Sequence, residues 1–147
     1  MELCIKRFEE LTIDELYAIL KLRVDVFVVE QKCPCDEIDN RDQAAIHVYL
    51  KDADGIKAYV RILDRGVVSE HVTIGRVIAA QRGKGLGRRV MEEAIKAAQE
   101  IFGTDTIFLE AQVYAKGFYE KLGFKSVSEA FSMDGIPHVK MELKVRQ

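Results

Sequence analysis

The residues best suited to chemistry stand in one run, Arg82-Gly83-Lys84-Gly85-Leu86-Gly87. Its glycines leave the backbone bare, so several N–H groups can turn toward one small anion. Before it, Val72-Thr73-Ile74-Gly75-Arg76-Val77-Ile78 is rich in β-branched residues and reads as a strand. After it, Val90, Met91, Ala94, Ile95, Ala97, Ala98 and Ile101 recur at helical spacing. A glycine loop between strand and helix can add the helix's unsatisfied N-terminal donors and the positive end of its dipole. Arg82, Lys84, Arg88 and Arg89 surround the spot with positive charge, which suits a diphosphate. A Walker loop is excluded, because Gly83-Lys84 is followed by Gly85 where a metal-binding hydroxyl is required. The dinucleotide fingerprint needs one more residue between its last two glycines than Gly85-Leu86-Gly87 provides. A plain glycine-rich turn with solvated arginine and lysine is the alternative reading.

The elements that must hold this loop follow from patterning. Glu2 to Arg7 alternates and reads as a short strand. Thr12-Ile13-Asp14-Glu15 forms a capping box, and Leu16, Ile19, Leu20 and Phe27 mark one face of a helix reaching about Val29. Residues 31–44 are polar and acidic and contain Pro34, so they read as a long loop, a length often used for function. Ile46–Lys51 and Ile56–Leu63 read as a hairpin about Asp52-Ala53-Asp54-Gly55. The strand at 72–80 and the helix at 85–101 follow, then a strand at Thr106–Gln112 and a short helix at 115–122 closed by Gly123. Two strands, about 124–131 and 138–145, flank Asp134-Gly135. The order β-α-β-β-β-α-β-α-β-β describes a mixed α/β arrangement, one domain over residues 1–147.

Composition bounds the partners. At 147 residues, with 48% hydrophobic and 31% charged residues, the chain can bury a core without staples. A net charge of −2 argues against a dedicated nucleic-acid binder. No apolar run approaches the ~20 residues of a membrane span, and the N-terminus lacks a signal-peptide core. A cytoplasmic protein with no nucleic-acid or membrane partner is expected. The three cysteines do not describe a disulfide framework. Cys33-Pro34-Cys35 reads as reduced thiols in a loop, since too few further ligands stand nearby for structural zinc.

A second signature stands about 30 residues downstream. Gln112-Val113-Tyr114-Ala115-Lys116-Gly117-Phe118-Tyr119-Glu120-Lys121-Leu122-Gly123-Phe124 resembles the Asn-x-x-Ala-x-x-Phe-Tyr-x-x-x-Gly-Phe segment of the GNAT N-acetyltransferases. The loop Arg82–Gly87 is similar to that superfamily's pyrophosphate loop. Leu22–Gln31, Asp36–Asp42 and Asp134-Gly135-Ile136-Pro137-His138-Val139-Lys140-Met141 resemble its ElaA-like branch, which also carries Gln at the position of Gln112. The resemblance implies a single-domain α/β acyl-CoA N-acyltransferase fold, a mixed, mostly antiparallel sheet flanked by helices.

It also implies the chemistry. Acetyl-CoA would lay its diphosphate on the N–H groups of Gly83, Lys84, Gly85, Leu86, Gly87 and Arg88, with Arg82 or Lys84 as charged partners. Its pantetheine would run along Val77, Ile78 and Ala79 like an added strand. One of those N–H groups would stabilise the oxyanion, and Tyr119 would protonate the departing thiolate. The amide of Gln112 would bond the pantetheine arm or the phosphates. An unidentified primary amine would attack directly in a ternary complex, with no metal, and a homodimer is compatible with this reading. Glu110, His138 and Glu30 are the candidate bases, against roles as a strand-surface charge, a loop-ordering donor and a loop anchor. His71 reads as a solvated turn residue. The acidic set Asp36, Glu37, Asp39 and Asp42 would either attract a cationic amine or form a solvated loop. A non-catalytic acyl-CoA-binding module is the rival function.

Overall fold

The computed structural model describes residues 1–80 and 83–145 of the 147. Its strands are β1 (Glu2–Arg7), β2 (Ile46–Asp52), β3 (Gly55–Leu63), β4 (Val72–Ala79), β5 (Thr106–Gln112), β6 (Lys125–Ser126), β7 (Phe131–Met133) and β8 (Ile136–Lys144). They form one sheet in the order β1-β2-β3-β4-β5-β8-β6, with β7 also on β8. Every pairing is antiparallel except β4 with β5. The helices are α1 (Ile13–Val24), α2 (Leu86–Phe102) and α3 (Lys116–Lys121).

Local chemistry sets the boundaries. The capping box opens α1: the Glu15 amide donates to Thr12 Oγ1 at 3.0 Å, and the Thr12 amide donates to Glu15 Oε1 at 3.0 Å. The α-helix expected to reach about Val29 ends at Val24 and continues as a π-helical segment, Asp25–Glu30. Gln31 and Cys33 donate five residues back, to the Val26 and Val28 carbonyls, at 3.3 and 3.1 Å. Valines at 24, 26, 28 and 29 crowd a regular α turn at Cβ, and the wider turn lets Val26 and Phe27 both pack on the sheet. The strand expected over 124–131 is instead broken into β6 and the start of β7, both paired with β8, and in the gap the Lys140 amide donates to Ser128 Oγ at 2.9 Å.

Two cores lie on opposite faces. Leu86, Val90, Met91, Ala94, Ala97 and Ala98 of α2 pack on Val48, Val60, Ile74, Ile107 and Met141, with Tyr119 and Phe124 completing that face. Fully buried Val90 and Met91 each contribute about 1.5–3 kcal/mol by leaving water. On the other face α1 and the π-helical segment cover Cys4, Tyr49, Tyr59 and Ile78.

One irregularity matters for the site. Between Tyr59↔Ile78 and Arg61↔Gly75 the β3–β4 register shifts, so β4 carries one extra residue there. Arg76, inside this bulge, has φ +54°, the left-handed region an L side chain rarely occupies. Side-chain parity inverts across it: Val72 and Ile74 face α2 before the bulge, whereas Val77 does so after it and Ile78 faces α1.

Candidate active site

The glycine loop is built as an open cradle. Gly83 and Gly85 have φ of +77° and +71°, and added Cβ atoms at either would meet nothing within 4 Å, so both face open space. Gly85 is the N-cap of the 17-residue α2 and supplies no side chain to it, and no acid stands in the first turn. The first amides of α2 therefore have no carboxylate competing for them, at the positive end of a long helix. Lys84, Arg88 and Arg89 are exposed around the loop, and the pair that Arg88 makes with Glu92 at 3.5 Å is solvent-exposed and worth little. Arg82 lies outside the described residues.

Beside the cradle the sheet opens. β4 and β5 pair only through Val72↔Ile107 and Thr73↔Phe108. From Ile74 to Ala79, β4 has no strand on its β5 side among the described residues, while it keeps β3 on the other. Val77, Ile78 and Ala79 thus lie along an unpaired edge whose amides and carbonyls can take an extended ligand. The two sequence signatures meet at its upper end. An added Cβ on Gly87 would lie 3.4 Å from both Ala79 Cβ and Phe118 Cζ, so the absence of a side chain at Gly87 lets α2 approach β4 and α3 closely.

Tyr119, next to Phe118 in α3, is 9% exposed, its ring edge-on to Phe118 at 5.1 Å and to Phe124 at 6.1 Å. Burial, with a smaller contribution from Tyr114, pushes its hydroxyl above the usual tyrosine range, so it keeps its proton at neutral pH. That is the state a proton donor needs.

The other expected site residues share one sheet face on β5 and β8. Glu110 is half-buried opposite Lys140, and Gln112 stands opposite His138. The Gln112 amide pairs reciprocally with Gln31, at 3.1 and 3.5 Å, which ties β5 to the end of the π-helical segment. His138 is 8% exposed, and its Nδ1–H donates to the Ile136 carbonyl at 2.7 Å. That bond selects the tautomer with a lone pair on Nε2. Glu30 is exposed, and His71 lies 3.6 Å from Glu70 and 3.8 Å from Glu142.

The 31–44 segment departs most from expectation. It is not a solvated acidic loop: only Asp36 of the four acids is exposed. Glu37 accepts from Arg23 Nε at 2.9 Å and Arg76 Nε at 2.6 Å. Asp42 accepts from Arg23 Nη1 at 2.5 Å and Arg61 Nη1 at 3.0 Å, while Asp39 takes a fork from Arg61 at 2.8 Å on each oxygen. Three arginines and three carboxylates thus neutralise one another in the α1-side layer, so Glu37, Asp39 and Asp42 hold no free charge for a cationic amine. Burial pulls Asp39 upward, but the bonds and charge of Arg61, and the charge of Arg76, outweigh it and bring its pKa down to about 2. Asp42 is balanced the same way, burial opposing Arg23 and Arg61, and ends below its ordinary value. Burial holds His47 below the usual histidine range; its Nε2–H donates to the Asp42 carbonyl at 3.0 Å, and Nδ1 accepts from the Tyr59 hydroxyl at 2.6 Å.

The cysteines also differ from expectation. Cys33 and Cys35 are joined as a disulfide rather than held as free thiols. Ligand atoms of the pair and Asp134 lie within 4.8 Å of one another, but a disulfide offers no thiolate to a metal. Arg23 and Arg76, which knit the α1-side layer together, are not marked as partners of its acids by anything local in the sequence. Their signal was available only as unpaired charges inside apolar patterns.

Comparison with known proteins places this geometry. Residues 18–145 match the family model described as an acetyltransferase (GNAT) domain. Protein ElaA of Escherichia coli is 38% identical over 142 residues, which cover 94% of this chain and 93% of its own. A protein of Schizosaccharomyces pombe is 40% identical, covering 99% of this chain and 98% of its own. The crystal structure of an acyl-CoA N-acyltransferase from Pseudomonas aeruginosa superposes with a TM-score of 0.90 at 39% identity, covering 97% of this chain and 98% of that one. That of Escherichia coli ElaA gives 0.90 at 36%, covering 97% and 99%. Among the described residues no helix is long and apolar enough to cross a membrane. The chain belongs to the GNAT acetyltransferase family, on its ElaA-like branch, and its chemistry is acyl transfer from an acyl-CoA.

Proposed function

We propose that the protein is an N-acetyltransferase, moving the acetyl group of acetyl-CoA to a primary amine by direct attack in a ternary complex. The observation that carries this reading is the unpaired β4 edge, with bare amides at its mouth, and with buried Tyr119 following the Phe118 that reaches Gly87. The diphosphate rests on the amides of Gly83 to Arg88, with Lys84 and Arg82 as counter-charges. Pantetheine lies along Val77, Ile78 and Ala79, and an amide there takes the oxyanion, a contribution worth ~2.7–4 kcal/mol where such donors have been removed. The amine loses its proton to the Glu110 carboxylate or to His138 Nε2, the two bases on the shared β5–β8 face. The tetrahedral intermediate then expels the CoA thiolate, which takes its proton from Tyr119.

Free-thiol release from acetyl-CoA over a panel of amines tests the reading. In Tyr119→Phe the ring and its packing stay, so acetyl-CoA affinity should hold while kcat falls about 10²-fold or more. A CoA analogue with a more acidic thiol should recover much of that rate. Full activity in Tyr119→Phe would remove the tyrosine from the mechanism. Binding of acetyl-CoA without turnover on any amine would support the non-catalytic module instead.

A further inference from the structure

A left-handed conformation at a β-bulge is ordinarily given to glycine, which adopts it without steric cost. Here the residue is Arg76, with Gly75 standing one place earlier in the regular strand. Something must hold Arg76 in place, and its side chain shows what does. Nε donates to Glu37 Oε2 at 2.6 Å, and Nη2 reaches the Glu37 carbonyl at 3.4 Å and Asp39 Oδ2 at 3.4 Å. Glu37 is itself fixed from behind. Arg23, fully buried in α1, donates from Nε to the same Oε2 at 2.9 Å and from Nη2 to the Glu37 carbonyl at 3.0 Å. A chain of contacts therefore runs from the α1 core through Arg23 and Glu37 to the bulge. Val77 completes the bulge and Ile78 follows it, along an edge with no strand partner toward β5 among the described residues.

We propose that Glu37 is a positioning residue for acyl transfer: it grips Arg76 and so holds the β4 bulge in the shape that sets the Val77–Ile78 amides at the acyl carbonyl. This rests on the reading of the β4 edge as the acyl-CoA seat. It gives the 31–44 segment a task on the donor side of the reaction, although Glu37, Asp39 and Asp42 carry no free charge. It also explains why arginine stands where glycine would be easier: the side chain is the handle.

Three variants separate positioning from mere stability. Arg76→Ala removes the handle and disfavours the left-handed conformation. Arg76→Gly removes the handle but tolerates that conformation. Glu37→Gln keeps the shape of the acid and loses its charge. Arg76→Ala and Glu37→Gln should lower kcat by about tenfold to a hundredfold, the scale on which a displaced group costs rate, with KM for acetyl-CoA moving far less. Arg76→Gly should recover most of the loss although glycine weakens a strand, so its melting temperature should be no higher than that of Arg76→Ala. A purely structural role predicts the opposite ranking, with the glycine variant no faster than the alanine one.

The ligand-free proteins supply a second readout. Backbone carbon shifts of residue 76 should report the left-handed conformation in the wild type and an extended one in Glu37→Gln. A residue 76 that stays left-handed in Glu37→Gln, or a glycine variant without rescue, overturns the proposal. If the wild type turns over no amine, the acetyltransferase reading fails by itself. The Val77 and Ile78 amide shifts on adding acetyl-CoA then decide, and identical responses in wild type and Arg76→Ala overturn the positioning role.

Discussion

The cradle at Gly83–Gly87 and the ion-pair layer beneath the 31–44 segment are both charged regions next to β4, and they are built in opposite ways. The cradle offers backbone donors and exposed side chains with no acid among them. The layer closes three arginines on three carboxylates, with only Arg61 Nε left buried and unpartnered among the described residues. One region keeps its charge available for a ligand; the other consumes its charge in holding a shape. The same residue types therefore do different work according to whether their partners lie within the chain.

The contrast can be broken most sharply at Arg23. Arg23→Met strips both Glu37 and Asp42 of a partner in a buried layer, where removing one member of an ion pair typically costs ~3–5 kcal/mol. Urea unfolding should show a loss of that size. A loss near that of a surface pair, under about 1 kcal/mol, would mean the layer is no more than a collection of screened contacts.

The next effect belongs to the cradle. Acetyl-CoA at a hundred times its dissociation constant should stabilise the folded chain by ~2.7 kcal/mol, read as a higher melting temperature. Gly85→Asp should abolish that stabilisation. Gly85→Asn, which also tolerates a left-handed backbone but carries no charge, should keep part of it. Equal loss in both would show that side-chain bulk, not charge, closes the cradle to its ligand.

The smallest effect is a pH dependence confined to the layer. With its folded-state pKa near 2, below the ordinary aspartate value of ~3.9, Asp39 contributes stability that is complete above that value. It is lost as the pH falls toward 2. Asp39→Asn should therefore flatten the fall in unfolding free energy between about pH 4 and 2, measured by denaturant titration at each pH. An unchanged slope would place the acid sensitivity elsewhere.

Legibility in the sequence follows the same division. The cradle could be read because its signal is local: glycine spacing, a strand before and a helix after. The capping box at Thr12–Glu15 and the hairpin at Asp52–Gly55 were legible for that reason, and each is one hydrogen-bonded unit. The ion-pair layer was not, since Arg23 meets Glu37 and Asp42 only once α1 lies over β3. A count of charges in residues 31–44 sees four acids and none of their partners. The bulge at Arg76 was hidden for a related reason: nothing in Thr73-Ile74-Gly75-Arg76-Val77 says which residue loses its place in the ladder. The pairing of Gln112 with Gln31 likewise joins positions 81 residues apart.

The short junction between β4 and β5 has a mechanical consequence. β1 to β4 with α1 and α2 make one plate; β5, β8, β6 and β7 with α3 make another. They are pinned at the bottom by two residue pairs, Val72↔Ile107 and Thr73↔Phe108, share the core under α2, are tied by Gln31 and Gln112, and meet at the top where Phe118 leans on Gly87. The slot between them is a span supported at both ends, so its width is fixed by the fit of an aromatic ring against a bare Cα as much as by any polar group lining it. A methyl at Gly87 would meet Ala79 Cβ and Phe118 Cζ at 3.4 Å, an ordinary packing distance, so it would fill the brace at the end where the cradle stands rather than wedge it open.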